Sequence, residues 1–80
     1  MSRQHHKLKT ETKFYQSVER GIKRFEIRKN DRGFKVYDLV TLQEAVGDVY
    51  TGRELPAFEI SYILYGPCHG LPEGYCIFNW

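Results

Sequence analysis

The spacing of apolar positions changes several times along the chain, and each change marks an element. A short strand is predicted around His6 to Thr10, followed by a helix that Thr10 or Thr12 can cap. Glu11 adds negative charge near the positive start of that helix. Phe14, Tyr15, Val18 and Ile22 then fall at helical spacing, which gives one apolar stripe to lay on a sheet. Gly21 is placed to end the helix, because the left-handed conformation costs glycine little. From Arg24 to Lys29 the period shortens to two: Phe25 and Ile27 are expected inward, with Arg24, Glu26 and Arg28 outward.

Asn30-Asp31-Arg32-Gly33 is turn chemistry. Val36 to Glu44 reads as the next strand, packing through Leu39, Val40 and Leu42. Gly47-Asp48 and Thr51-Gly52 are further turn signals. Leu55 to Tyr65 reads as one strand with Phe58, Ile60, Tyr62 and Leu64 on a shared face, and Pro56 near its start favours a strand end or an edge. Gly66 to Gly74, rich in glycine and proline, reads as a loop, and Tyr75 to Trp80 as a closing strand. The pattern predicts an α+β, mainly β fold of about five strands and one helix. So many short strands need their edges covered: a small barrel with the helix at one opening does this, and an open helix-on-sheet layer is the alternative.

Eighty residues make one domain, expected over 6–80 after a flexible start at 1–5. A hydrophobic content of 41% and an aromatic content of 15% supply a real core and argue against disorder. Phe14, Phe25, Phe58 and Phe78 are expected in that core, whereas Tyr37, Tyr50, Tyr65 and Trp80 are less clearly inward.

The net charge of +2 matters less than its placement. Arg20, Lys23, Arg24, Arg28, Lys29 and Arg32 crowd one segment against only Glu26 and Asp31, and Arg53 is the only Lys or Arg after Lys35. That asymmetry predicts one positive face, the electrostatic footprint of phosphate binding; a solvated strand and turn is the plainer reading. Cys68 and Cys76 match neither a disulfide framework nor a zinc spacing, so no metal and no cofactor is expected. No apolar run approaches a membrane span and the polar start lacks a secretory core, so a cytoplasmic protein without a membrane partner is expected.

Gly21 to Arg28 reads G-I-K-R-F-E-I-R, which resembles the G-x-K-x-x-E-x-R motif of ASCH domains, relatives of the PUA fold. The likeness extends to the His6-Lys7-Leu8-Lys9 start, the run Phe25 to Arg32, Tyr50-Thr51-Gly52-Arg53-Glu54, Tyr62-Ile63-Leu64, and Gly70-Leu71 with Gly74-Tyr75. Together these resemble a small bacterial and phage domain-of-unknown-function family in the PUA-like group. One departure stands out: Val36-Tyr37-Asp38 replaces the Val-Gly-Asp usual in that family, which puts the turn there in question. The resemblance implies a five- or six-stranded barrel with a cleft beside the motif, where PUA-like folds usually hold RNA or a modified nucleobase.

Glu26 and Arg28, two apart on a strand, share a face, and Lys23 stands at the strand entrance. Arg28 can grip a phosphate or base edge while Glu26 accepts from an exocyclic amine. Lys9, Lys29 and Arg32 would add phosphate contacts beside Asn30, making RNA or a nucleotide the expected partner. Some ASCH relatives deacetylate acetylated cytidine with a lysine, a threonine and a downstream glutamate, and others are described as ribonucleases. Lys23 matches that lysine, but Glu26 stands in the threonine's place and the glutamate has no counterpart here. Lys23 and Glu26 are therefore catalytic candidates only if the protein is an enzyme, a small hydrolase. Alternatively the trio is an ion-paired brace in a protein-interaction domain. His6 lines the cleft or is an ordinary strand residue.

Overall fold

In β1 (His5–Glu11), His6, Leu8 and Thr10 are buried while their neighbours face solvent, the period-two pattern of a half-buried strand. The computed structural model describes residues 3–80. After β1 follow α1 (Thr12–Glu19), β2 (Phe25–Lys29), β3 (Leu39–Val46), β4 (Val49–Glu54), β5 (Phe58–Glu59), β6 (Tyr62–Tyr65) and β7 (Tyr75–Asn79). The fold is mainly β with one helix, as the apolar pattern predicts. These strands form two sheets. In the first, β3 is central: β1 lies parallel to it on one side, and β4 and β5 are antiparallel on the other. The second is antiparallel, in the order β2-β7-β6. Among the described residues no ladder closes the two sheets into a continuous barrel.

One core joins the sheets. Leu8, Val40 and Leu42 of the first meet Ile63, Cys76 and Phe78 of the second, with Tyr15 from α1 and Phe34 and Ile60 from loops. Phe34 sits 4.9 Å from Phe78 and 4.6 Å from the His6 ring. No helix of the described residues is long and apolar enough to cross a membrane.

Local details depart from the sequence reading in several places. Glu11 holds the helix N-cap position without a side-chain cap, and Thr10 Oγ1 donates to Leu8 O instead of capping. On α1 only Tyr15 is buried, with Val18 packed against the core; Phe14 is 43% exposed, because β1 and β3 cover one narrow face of so short a helix, and Ile22, expected on the same stripe, lies past the helix end and is 76% exposed. Gly21 does end the helix, at φ +74°, with its N–H bonded to Val18 O and the Ile22 N–H to Ser17 O, the paired bonds of a Schellman stop.

Thr51-Gly52 lies inside β4 rather than in a turn. The register slips between Gln43 and Ala45, and the irregularity absorbs Gly52. The stretch expected as one strand from Leu55 to Tyr65 is two, because Ile60 turns into the core and the chain changes sheets there. Tyr62 is consequently exposed and Ile63 buried. Of the four phenylalanines expected inside, Phe78 is fully buried and Phe58 stacks at 3.7 Å on Trp80, while Phe14 and Phe25 are half-exposed.

The start expected to be flexible, 1–5, falls partly outside the described residues. Within them Arg3 pairs with Glu59, and the Gln4 N–H donates to Asp38 Oδ1.

Candidate functional site

The face assignment on β2 is inverted relative to the alternation reading. Glu26 and Arg28 point to the interior side, Glu26 being only 4% exposed, while Phe25 and Ile27 stand about half-exposed on the other side. The cause is the register with β7, which sets Glu26 opposite Phe78 and Arg28 opposite Cys76, so these four share the face that carries the core. Period-two alternation defines two faces; only the partner strand decides which is inward.

A carboxylate at such a position needs compensation. Glu26 receives it twice: Lys23 Nζ donates to Oε1 at 2.5 Å, and Arg28 Nε donates to Oε2 at 2.9 Å. Arg28 is held in turn, its Nη2 donating to Lys9 O at 3.1 Å and to Thr10 Oγ1 at 3.2 Å. The Lys23 ammonium also lies 5.3 Å from the Phe14 ring centroid and 5.1 Å from that of Phe25, close enough for cation–π attraction. The three expected heads therefore converge, carrying one positive charge in sum.

Beside them opens a cleft of about 640 Å³. Its charged lining sets Lys9, Lys23 and Arg28 against Glu11, Glu26 and Asp48, and its apolar walls include Phe14, Phe25 and Ile27. Across the rim, Lys9 Nζ meets Asp48 Oδ1 at 2.7 Å. That hydrogen bond and the charge behind it raise the Lys9 pKa and lower that of Asp48. The sequence reading missed these walls because it assigned Phe14 and Phe25 to the core. Their position on either side of Lys23 in the chain was the available signal.

The other expected contacts divide. Lys29 and Arg32 lie at a second, smaller hollow of about 200 Å³ that Arg28 also lines. Asn30 lines neither; its Oδ1 accepts from the Phe34 N–H and shapes the loop. His6 is away from the cleft, buried, with Nε2 2.9 Å from Asp38 Oδ2. Cys76 is a core residue whose thiol is pushed up by burial, and Cys68 donates through Sγ to Tyr65 O.

The family whose description is "Domain of unknown function (DUF3850)" matches residues 5–80, nearly the whole chain. The chain belongs to DUF3850. A phage relative is similar as well: the uncharacterized 12.9 kDa protein in the GpA 3' region of Escherichia phage P2 is 40% identical over 52 residues, or 65% of this chain. That match spans 48% of the phage protein, about half its length. The DUF3850 match covers every element that lines the cleft: β1, α1, Lys23 before β2, β2 itself and the turn at Gly47-Asp48.

Proposed function

We propose that this DUF3850 domain binds RNA or a nucleotide in the cleft beside Lys23, Glu26 and Arg28, and that it is an ASCH-type relative of the PUA fold. One observation carries the reading. The cleft combines apolar walls at Phe14, Phe25 and Ile27 with an ion cluster in which Lys23 and Arg28 outnumber Glu26, the Lys23 ammonium lying 5.3 Å and 5.1 Å from the Phe14 and Phe25 ring centroids. A nucleobase needs the first and a phosphate the second. Base–aromatic contact is worth about 1–3 kcal/mol per base. Arg28 is pre-oriented by three acceptors, so little side-chain freedom is lost when it receives a phosphate or a base edge. Lys9, half-exposed at the rim and paired with Asp48, adds a further cation.

The affiliation with PUA-like folds draws on the G-x-K-x-x-E-x-R segment lying at the cleft. In this reading the two sheets correspond to a barrel left open between β1 and β2, where arginine side chains bridge the gap.

The test is an NMR titration with short single-stranded RNA at low and moderate salt. Resonances of Lys9, Phe14, Lys23 and Arg28 are expected to move, and affinity should fall steeply as salt rises. Lys9→Ala, an exposed change, should weaken binding while leaving the fold intact. Unmoved cleft resonances at low salt would remove the reading.

A further inference from the structure

The first sheet ends at β1 and the second at β2; no ladder joins these edges, and the side chains of Arg28 and Arg32 reach across to β1. The Leu39 N–H bonds Gln4 O on the β3 side, so by alternation Lys7 and Lys9 turn their carbonyls to the open side. There Arg32 Nη1 donates to Lys7 O at 3.0 Å and Arg28 Nη2 to Lys9 O. Two guanidiniums thus floor a seam that runs along β1.

Both hollows open on this seam. The cleft touches β1 at Lys9 and Thr10, and the smaller hollow touches it at Leu8. Arg28 is a wall of each. Only one or two residues of strand separate these contacts, on the order of 3–7 Å. The smaller hollow has a different character from the cleft: its base is the buried Leu8 and Phe34, and its rim is Arg28, Lys29 and Arg32 against Asp31 alone. It is smaller than the cleft and cationic, which suits a phosphate. Arg32 uses only Nη1 among the described residues, and Lys29 makes no side-chain hydrogen bond there, so donors remain for a ligand.

We infer that the seam is the path of a single-stranded nucleic acid: one unpaired base enters the cleft, and the next phosphodiester sits at Arg32 and Lys29. This rests on the nucleotide-binding reading of the cleft and extends it from a nucleotide to a strand. Arg28, between the two hollows, touches the linkage that joins them. A duplex is disfavoured, because bringing a paired base to Phe14 and Phe25 costs a few kcal/mol of unstacking and unpairing.

The experiment titrates the full chain with the four nucleoside 5′-monophosphates, a mixed-sequence single-stranded tetranucleotide and a blunt RNA duplex, followed by NMR. The tetranucleotide should bind about tenfold or more tighter than the best monophosphate, since a second contact is made at high local concentration. Arg32→Gln and Lys29→Gln should each abolish that gain and lower the salt dependence, while monophosphate affinity stays put. Should loss of the Lys7 bond unfold the Arg32 variant, Lys29→Gln, which breaks no bond of the fold, decides alone. Equal affinity for monophosphate and tetranucleotide overturns the strand path and leaves the cleft reading standing, as does a duplex that binds as tightly as the single strand. Silence from every ligand sinks both.

Discussion

Glu26 and Phe78 face each other across the β2–β7 ladder, a carboxylate opposite a fully buried phenyl ring. No composition argument places a charge there, and the position is tenable only because Lys23 and Arg28 occupy both oxygens. The same three residues that set an ion cluster in the cleft lining therefore also hold the edge of the second sheet. Brace and binding surface are one object here.

That double role has a measurable consequence. Removing the carboxylate with Glu26→Ala strands two partly buried cations and should destabilise the fold by about 3 kcal/mol or more. Lys23→Met, which leaves Arg28 on Glu26 and keeps an apolar stem against Phe14 and Phe25, should cost clearly less. Urea midpoints of the two variants check the order; a Glu26→Ala protein as stable as wild type would show that the ion cluster is not structural.

The Lys9–Asp48 pair places an acid where the proposed ligand's phosphate would compete for the same ammonium. Asp48→Asn should therefore strengthen RNA binding roughly twofold to fivefold at low salt, with the gain shrinking as salt rises. The Asp48 side chain is 95% exposed, so the urea midpoint should not move. Weaker binding by the variant would mean that Asp48 itself contacts the ligand.

Much of the frame was legible in the sequence, and the misreadings share one cause. β1, the glycine stop at Gly21, the turn after Lys29, the Gly66–Gly74 loop and the last strand follow from local chemistry and stand at or near their expected places. What local pattern could not supply was which face of β2 turns inward, because Phe25-Glu26-Ile27-Arg28 alternates equally well either way and only the β7 register chooses. The split of Leu55–Tyr65 is likewise tertiary: Ile60 is drawn into the core between two sheets, and Ser61 alone, without glycine or proline, is a weak break signal. At the site, the convergence of Lys23, Glu26 and Arg28 was readable from spacing, whereas Phe14 and Phe25 as cleft walls were not, since an apolar residue in sequence defaults to core.

Asp38 supplies a pH prediction. Burial pushes its carboxyl up, but the hydrogen bond with His6 and those from the Gln4 and Lys35 N–H groups outweigh it and hold the pKa below the ordinary value. A carboxyl lowered by folding stabilises the fold fully above its unfolded pKa, and that contribution is lost as pH falls toward the folded value, so the window lies below about pH 4. Wild type should lose stability in that window, and Asp38→Asn should lose less over the same interval while being weaker at pH 7. Denaturant melts at pH 7 and pH 3 for both proteins provide the comparison. Parallel losses would place the acid sensitivity elsewhere.

Tyr37 stands where the family resemblance leads one to expect glycine, and it carries the strain of that exchange. Its φ is +78°, in the left-handed region, and its side chain is 66% exposed, so no burial compensates. The turn is held by other bonds: the Tyr37 N–H donates to Ile60 O, and Asp38 ties the loop to His6 and Gln4. Left-handed backbone costs a residue with a Cβ about 1–2 kcal/mol, and glycine returns about 0.5–1 kcal/mol of that through its freer unfolded chain. Tyr37→Gly should therefore stabilise the protein by a net of about 0.5–1 kcal/mol, an uncommon sign for removing an aromatic ring. Tyr37→Ala keeps the Cβ and the strain, and should give no gain. Equal midpoints for the glycine and alanine variants would show that the ring, rather than the backbone, sets the energy of this turn.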